Sequence, residues 1–141
     1  MEISNRLCEL IGIVIGDGNI HDRKPYFVEI SGHPKKDVDY LLSRVSHLIR
    51  EELNYIPSVS KRYGALRLRI NSKAFVEMLK RLGLPSGKDK YKKVTLPSLL
   101  KRKRCCLRAC IRGIFDTDGS VYFDRRKCYA KPYIRIELHI Y

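Results

Sequence analysis

The stretch LIGIVIGDGNI, residues 10–20, begins as an apolar run and ends in a carboxylate between two glycines. A second stretch, IRGIFDTDGSV at residues 111–121, repeats the pattern about 101 residues later and places Asp118 where the first has Asp17. Because the apolar spacing and the carboxylate both recur, the two stretches indicate an internal repeat. The repeat raises the question of why an acid should twice stand where an apolar helix ends.

The apolar residues of both copies recur at helical spacing, which predicts one helix over residues 3–17 and another over about 97–118. Gly18 is expected to end the first helix in the left-handed conformation that glycine adopts readily. Each predicted helix carries small residues four positions apart, and such a stripe lets two helix backbones approach closely. We therefore expect the two helices to cross through the packing residues Gly12, Gly16, Ala109 and Gly113.

A close crossing would bring Asp17 and Asp118 together at the C-terminal ends of two helices. Like-charge repulsion and the negative ends of both helix dipoles disfavour this arrangement unless a cation is bound there. Mg²⁺ or another hard divalent cation would supply that charge, held by both carboxylates, by the adjacent Gly16 and Thr117, and by water. A metal held beside a phosphate backbone can hydrolyse a phosphodiester, which makes both acids candidate catalytic residues. The simpler alternative is that each Asp-Gly pair only ends a helix and begins a turn.

The charge balance points to a polyanionic partner. The chain has 29 Lys and Arg against 15 Asp and Glu, a formal net charge of +14 over 141 residues. Nucleic acid is the first candidate partner and an acidic membrane surface the second. A bilayer span is not expected, because the longest apolar run is far shorter than the roughly 20 residues that a transmembrane helix needs.

The cysteines predict a reducing environment. An odd count of five, without a recognisable secretory leader, argues against a disulfide scaffold. Cys105, Cys106 and Cys110 lack the paired spacing of a zinc site and are expected to be small buried thiols. Such usage predicts a cytoplasmic location. No phosphate-cradling glycine loop occurs in the sequence, so no nucleotide cofactor is expected.

Periodicity and turn residues predict the order α-β-β-α-β-β-α, followed by a restart of α-β-β. This order divides the chain into a first half (residues 1–84), a basic connector with the start of a helix (85–104) and an incomplete second half (105–141). The other predicted elements are strands 19–23, 25–32, 56–62 and 65–70, helices 34–54 and about 72–82, and a last hairpin of 120–126 and 132–141.

The segments LIGIVIGDG (10–18) and IRGIFDTDG (111–119) resemble the two signature helices of the LAGLIDADG homing endonucleases, and the element order is similar to that family's half-unit. The resemblance covers nearly the whole chain. It implies an α+β fold, with a homing-endonuclease-like αββαββα unit whose antiparallel, saddle-shaped sheet binds DNA, followed by the αββ start of a pseudo-symmetric copy. It also implies sequence-specific, Mg²⁺-dependent cleavage of both strands of a long target. The usual intein signals, a nucleophile at residue 1 and a terminal His-Asn, are absent, so we expect the enzyme to be encoded in an intron or a free-standing reading frame.

The same resemblance implies roles for individual residues. The family's metal-binding acids map to Asp17 and Asp118. The sixth motif position is Ile15 in the first copy and Asp116 in the second, and Asp116 is interpreted as structural. LPSGK resembles the stretch in which small family members carry an active-centre lysine, here Lys88. Lys88 would steady the scissile phosphate or the hydrolytic water; alternatively, it is one more solvated linker lysine.

Alternation of polar and apolar residues assigns the faces of the predicted strands. In the last hairpin the core face would comprise Ile134, Ile136, Leu138 and Ile140. The core face of the first sheet is expected to pack on the helices and comprises Ile20, Val28, Ile30, Val59, Leu66, Leu68 and Ile70.

The opposite, polar face suits the reading of base edges in a DNA major groove, which admits a two-stranded ribbon. Arg67 and Arg69 are the best candidates because they share one face of a strand with a clear period. Lysines of the connector are expected to contact phosphates, which gives affinity without sequence information. The predicted DNA-binding residues are Asn19, His21, Arg23, Lys24, Glu29, Ser31, Ser60, Arg62, Arg67, Arg69, Lys90, Lys92, Lys93, Tyr122, Asp124, Arg135, Glu137 and His139.

Alternatives from other functional classes stay open at this point. The chain could be a DNA-binding remnant or regulator that keeps the fold without turnover, or an RNA-binding intron splicing helper. The incomplete second copy is compatible with truncation, with a decayed gene, or with a second chain that completes it. In a homodimer Asp17 could meet its own symmetry mate, and residues 105–141 would then be an appendage. A membrane partner is not expected.

Overall fold

The structure of the protein is a computed structural model that describes residues 2–87, 93–128 and 130–139. Lys88, Lys90, Lys92 and Ile140, to which the sequence assigns roles, lie outside the described residues. In chain order the elements are α1 (Asn5–Asp17), β1 (Gly18–His21), β2 (Phe27–Gly32), α2 (a π-helical segment, Tyr40–Val45, that continues as the α-helix Ser46–Leu53), β3 (Ser58–Arg62), β4 (Ala65–Ile70), α3 (Lys73–Arg81), α4 (Ser98–Lys101), α5 (Arg104–Asp118), β5 (Gly119–Asp124) and β6 (Tyr133–Leu138).

Strands β1 to β4 form one antiparallel sheet in the order β1-β2-β4-β3. Across its two central strands Val28 pairs with Ile70 and Ile30 with Leu68, so the apolar residues share one face. Helices cover that face and bury it almost completely, because removal of apolar surface from water is the main stabilising contribution to a fold. The mixture of helices with an antiparallel sheet confirms the predicted fold class.

Two predicted helices differ from the observed ones. Residues 34–36 form a turn, in which the Asp37 carboxylate accepts a hydrogen bond from the His33 N–H at 2.6 Å, and regular helix begins after it. The predicted helix over 97–118 is broken between α4 and α5 at Lys103, whose backbone is extended (φ −119°, ψ 123°). The break lets Leu100 reach the core from α4 while α5 follows the direction set by its contact with α1. None of the described helices has the length and apolar character that a bilayer span requires.

Gly18 ends α1 for a different reason from the predicted one. Its backbone is extended (φ −84°, ψ 150°), not left-handed, and its N–H donates to the Val14 carbonyl. A Cβ at this position would lie 2.6 Å from the Val14 Cα atom, closer than real Cβ contacts come. Glycine is therefore required here by close packing of the chain on its own helix.

Three groups of apolar or thiol side chains are more exposed than predicted. Val59 lies opposite the buried Leu68 but on the edge strand β3, where its side chain is 51% exposed. Cys106 and Cys110 are buried against α1, whereas Cys105 is exposed because it lies on the other side of α5. In the two-stranded sheet β5–β6, the expected core residues Ile134, Ile136 and Leu138 are exposed, since no element among the described residues covers them.

Candidate metal centre and nucleic-acid interface

Helices α1 and α5 cross in direct backbone contact. A Cβ atom on Gly12 would lie 2.9 Å from the carbonyl carbon of Cys110, and one on Gly113 would lie 2.8 Å from the Ile13 nitrogen. Both distances are shorter than real Cβ contacts, so only glycine allows this separation of the helices. Ala109, one turn before Gly113, is partly buried and packs on the same core.

The crossing brings the C-terminal ends of both helices together. A Cβ on Gly16 would overlap the Thr117 hydroxyl and would lie 3.3 Å from Asp118 Oδ2. The Asp118 carboxylate therefore lies beside the residue that precedes Asp17. Asp17 and Thr117 line a small cavity of about 30 Å³, which Asp116 also borders. Gly16, Thr117 and Asp118 thus meet at the crossing, and Asp17 follows Gly16 at the end of α1.

The chemistry of this place fits a hard divalent cation. Asp17 and Asp118 are oxygen donors, and the absence of a side chain at Gly16 lets the Thr117 side chain and the Asp118 carboxylate pack against this end of α1. The Thr117 hydroxyl donates to the Ile114 carbonyl at 2.9 Å, so Thr117 would contribute to a metal through its backbone oxygen. Among the residues that the structure describes, no three His, Cys, Asp or Glu side chains form a metal-binding group. Mg²⁺ is commonly held by one or two carboxylates together with substrate phosphates, and Asp17 and Asp118 would supply the carboxylates of such a set.

A buried ionic network borders the acids and was missed by sequence reasoning. Glu9 is only 4% exposed although it lies in the apolar run of α1, and Arg44 of α2 donates to both of its carboxylate oxygens at 2.9 and 2.6 Å. Arg112 lies between Glu9 and Asp116, at 4.0 and 3.9 Å. The sequence signal would have been a charged residue on an otherwise buried helix face, because a buried charge needs a partner. This network ties α2 to both crossing helices.

Asp116 takes part in that network. The Tyr40 hydroxyl donates to Asp116 Oδ2 at 3.4 Å, and burial together with the nearby Asp116 carboxylate raises the pKa of Tyr40 above its ordinary value. Tyr40 therefore stays protonated and remains a donor at neutral pH. These contacts give Asp116 partners within the fold. The structural role that the sequence predicts for Asp116 stays a prediction.

The polar face of the four-stranded sheet has an acid at its centre. Glu29 is opposite Arg69 in the β2–β4 register and diagonal to Arg67. Its carboxylate is buried, and both arginines donate to it at 2.6 to 3.0 Å. Burial alone would raise the pKa of Glu29, but the hydrogen bonds from Arg69 and Arg67 outweigh it and hold the pKa below its ordinary value. Glu29 therefore lies on the predicted polar face, with its carboxylate covered by the two guanidinium groups, and its contact with DNA stays a prediction.

Aromatic rings extend this polar face. The Arg69 guanidinium lies 4.1 Å from the centre of the Phe27 ring, and the His21 ring stacks on Phe27 at 4.7 Å. His21 Nδ1 donates to the Pro25 carbonyl at 2.8 Å, which fixes the ring over the turn between β1 and β2. Tyr63, which sequence reasoning missed, is exposed beside Arg67 at the β3–β4 turn.

The other predicted contacts on this half are accessible to varying degrees. Ser31 is half-buried and borders the small cavity beside Asp17. Ser60 is half-buried opposite Arg67 in the β3–β4 register. The exposed members are Asn19, Arg23, Lys24, Arg62 and Lys93.

The second hairpin carries a comparable ionic network on its polar side. Asp124 is only 4% exposed, with Arg126 at 2.7 Å and Arg135 at 3.5 Å. Hydrogen bonds from Arg126 hold the pKa of Asp124 below its ordinary value. Asp124 therefore lies on the predicted polar face but is covered by Arg126, which sequence reasoning did not select, and its contact with DNA stays a prediction.

The remaining predicted residues of that hairpin are linked around Glu137. The Tyr122 hydroxyl donates to Glu137 at 2.9 Å, Arg135 lies 3.3 Å from it, and His139 lies 3.1 Å from it. Tyr122 and His139 are exposed, whereas Arg135 and Glu137 are half-buried. The side chains of this face therefore form one connected polar surface next to the end of α5.

Comparison with curated sequences finds similar segments inside longer proteins. No model of a known protein family matches the chain. It is 26% identical over 127 residues to the tRNA-splicing ligase RtcB of Pyrococcus furiosus, with 82% of this chain and 13% of that protein covered. It is 28% identical over 127 residues to reverse gyrase of Methanocaldococcus jannaschii (89% and 7%), and 30% identical over 125 residues to an A-type ATP synthase subunit of Pyrococcus abyssi (89% and 11%). The chain thus spans between 7% and 13% of the length of these relatives.

Comparison with solved structures identifies the fold. The homing endonuclease I-DmoI in complex with DNA and Ca is similar, with a TM-score of 0.56 at 16% identity, over 88% of this chain and 65% of that one. The homing endonuclease I-WcaI bound to its DNA recognition sequence has a TM-score of 0.52 at 19% identity, over 92% and 57%. At this level of identity the likeness shows the fold alone, and the chain has a homing-endonuclease fold.

Proposed function

We propose that this chain is a DNA-cleaving module of the LAGLIDADG homing endonuclease kind, which hydrolyses phosphodiester bonds in duplex DNA with the help of Mg²⁺ or another divalent cation. The observation that carries the proposal is the glycine-mediated crossing of α1 and α5, which places the Asp118 carboxylate beside Gly16 and Asp17. The DNA complexes of the structural neighbours, which were prepared with Ca, Mg or Mn, support it.

In this proposal Asp17 and Asp118 hold the cation, with the backbone of Gly16 and Thr117 beside them. When bound, the metal lowers the pKa of a water and stabilises the leaving oxygen. The network of Glu9, Arg44 and Arg112 keeps the two helices in place, so the acids stay in register. Lys88 keeps its predicted role at the scissile phosphate.

The sheet supplies the DNA contacts. Its polar face presents arginines and aromatic rings, and the net charge of +14 favours a phosphate backbone. Because only the first half has a four-stranded sheet among the described residues, we propose that a second such sheet, from further chain or from a partner, binds the other half of a long target.

The similar segments inside longer proteins support the proposal that this chain is a self-contained module. Three proteins whose names share no activity each contain a similar segment of 125 to 127 residues. A segment that recurs in such unrelated surroundings is expected to act independently of the protein around it. We propose that the gene segment moves as a unit. An intron-encoded origin and a cytoplasmic location stay proposals that rest on the sequence alone.

Cleavage of a randomised duplex library tests the proposal. The chain is incubated with the library in Mg²⁺ and in EDTA, and newly formed double-strand ends are sequenced. We expect recurrent break sites in Mg²⁺ only, and a loss of at least about a hundredfold in Asp17→Asn, because removal of a metal-holding carboxylate removes the catalytic charge. Asp39→Asn, an exposed acid on the helical segment leading into α2, is the matched control and should cut normally.

The second candidate is a binding module without turnover. The observation that favours it is the second hairpin, whose apolar side is exposed among the described residues, so that the second half of the fold lacks its cover. Retention of duplex DNA without breaks in either Mg²⁺ or Mn²⁺ would establish this function and overturn the enzymatic one. In both cases affinity should fall steeply with salt, because phosphate contacts release counterions.

A further inference from the structure

The buried acid on the DNA-facing side of the sheet holds two arginines. Arg69 donates from Nε and Nη2 to Glu29 Oε2 at 3.0 and 2.8 Å, and Arg67 donates from Nη1 to Oε1 at 2.6 Å. The Glu29 side chain is 7% exposed, whereas those of Arg67 and Arg69 are 29% and 40% exposed. The acid therefore lies under the arginines, and the arginines face solvent.

We propose that Glu29 is a positioning residue that sets Arg69 and Arg67 to read two guanines separated by one base pair in the DNA target. This inference rests on the proposed function only in requiring that the polar face binds duplex DNA. It makes this pair the main determinant of sequence specificity on the first half of the fold, and it gives Glu29 no base contact of its own.

Arg69 is held in the orientation that guanine recognition needs. Its two bonds to Glu29 use the Nε side of the guanidinium, so the terminal edge, with one N–H each on Nη1 and Nη2, points away from the acid. Two parallel N–H groups on such an edge match O6 and N7 of guanine, the commonest specific contact in the major groove. The Phe27 ring, 4.1 Å from the guanidinium carbon, supports its flat face, and His21 supports Phe27. The Arg69 side chain therefore has little conformational freedom left to lose when it binds a base.

The spacing of the two arginines sets the spacing of the two bases. They are two residues apart on one face of β4, which separates them by about 6.7 Å along the strand. Bases of one DNA strand are stacked about 3.4 Å apart, so two steps span about 6.8 Å. A strand that runs along the major groove would thus place Arg67 and Arg69 on the first and third base pairs of a triplet.

The two arginines differ in how firmly they are held. In the part of the chain that the structure describes, Arg67 Nε is a buried donor without a hydrogen-bond acceptor, and the Tyr63 ring is 5.8 Å away. Arg67 therefore gains more hydrogen bonding than Arg69 when it shifts toward a base. We also expect Arg67 to accept a wider range of bases than Arg69. A concavity of about 290 Å³ over the pair, with Ser58, Ser60 and Tyr63 on its wall, leaves room for a base edge.

Selection of bound duplexes from a randomised library, without cleavage in EDTA, tests the inference. We expect the wild-type chain to enrich sites with two guanines separated by one base pair. Arg69→Lys should remove the preference at one of these positions and Arg67→Lys, more weakly, at the other. Lysine keeps the charge but not the forked donor geometry.

Glu29→Gln should lower the preference for both guanines by about tenfold or more, while affinity for random duplex stays the same or rises because one negative charge is removed. Glu77→Gln is the matched control, since it makes the same charge change at an exposed pair with Lys73 on α3. It should leave the motif intact. A purely structural role of Glu29 would instead weaken specific and random binding together, and that result overturns the inference.

An enriched site without the paired guanines, or a Glu29→Gln variant that keeps the full motif, also overturns it. Enrichment of the motif by a chain that never cuts DNA leaves the inference standing and removes only the proposed catalysis. A wild-type chain that retains no duplex at all removes both.

Discussion

The hairpins β1–β2 and β5–β6 leave their helices in the same way but end in different surroundings. Gly18 and Gly119 have almost identical backbones (φ −84°, ψ 150° and φ −84°, ψ 152°), and each N–H donates to the carbonyl four residues earlier. In the first hairpin the apolar residues Ile20, Val28 and Ile30 are at most 1% exposed. In the second, Val121, Phe123, Ile134 and Ile136 are 59% to 67% exposed.

The difference separates what a short motif encodes from what distant elements supply. A helix end is determined by a few neighbouring residues, so it is reproduced in both copies. Burial of a strand's apolar side depends on elements that pack on it, and these are far away in sequence. β4, α3 and α1 contact the first hairpin, and Leu41 of α2 lies against Gly32, whereas no described element covers the apolar side of the second hairpin.

The contact between α1 and α5 disfavours the homodimer that the sequence left open. The glycine face of α1 is occupied by α5 of the same chain, at a distance that excludes even a methyl group. A dimer in which Asp17 meets its own symmetry mate would require α5 to leave. A second chain is instead more compatible with the exposed side of β5–β6.

The largest expected effect comes from one substitution made in both hairpins. Ile30→Thr should lower the free energy of unfolding by about 2–4 kcal/mol, because it removes buried apolar volume and buries a hydroxyl group. Ile136→Thr should change it by less than about 0.5 kcal/mol, because the side chain is already in water. Denaturant unfolding followed by circular dichroism measures both values. Equal losses would show that the second hairpin is covered in solution.

The helix crossing gives the next effect. Gly12→Ala should destabilise the fold by about 1–3 kcal/mol, since the new methyl group meets the Cys110 carbonyl and forces the helices apart. Helix propensity alone predicts the opposite sign, a gain of about 1 kcal/mol. The exposed His47→Ala on α2 serves as a control with little expected change. A more stable Gly12→Ala protein would refute the close contact.

The smallest effect is a pH dependence on the polar face. The pKa of Glu29 is lower in the folded than in the unfolded chain, so its ionised form stabilises the fold above about pH 4.3, the ordinary value for Glu. This contribution is lost as the pH falls through the lower, folded pKa. The stability difference between wild type and Glu29→Gln should therefore shrink on acidification from pH 6 to about pH 3, as measured by thermal unfolding. A difference that stays constant would mean that the pairing with Arg67 and Arg69 contributes no net stability.

Much of the fold and part of the candidate site could be predicted from the sequence. Helical and alternating periods located the strands and the small residues of the crossing, because these patterns reflect local geometry. They could not show that Glu29 and Asp124 are covered by arginines, since alternation gives the side of a strand but not which neighbours close over it. They also missed Glu9, because its partner Arg44 is 35 residues away, and they mistook the reason for Gly18, because close packing and a left-handed turn select the same residue.

The central claim is that Asp17 and Asp118 share one cation-binding centre at the helix crossing. A double-mutant cycle of Asp17→Asn and Asp118→Asn, with the free energy of unfolding measured in EDTA and in Mg²⁺, tests it directly. We expect an unfavourable coupling of at least about 0.5 kcal/mol in EDTA, from repulsion between the two carboxylates, and its reversal in Mg²⁺. Additive effects in both conditions would show that the two acids do not act at one centre.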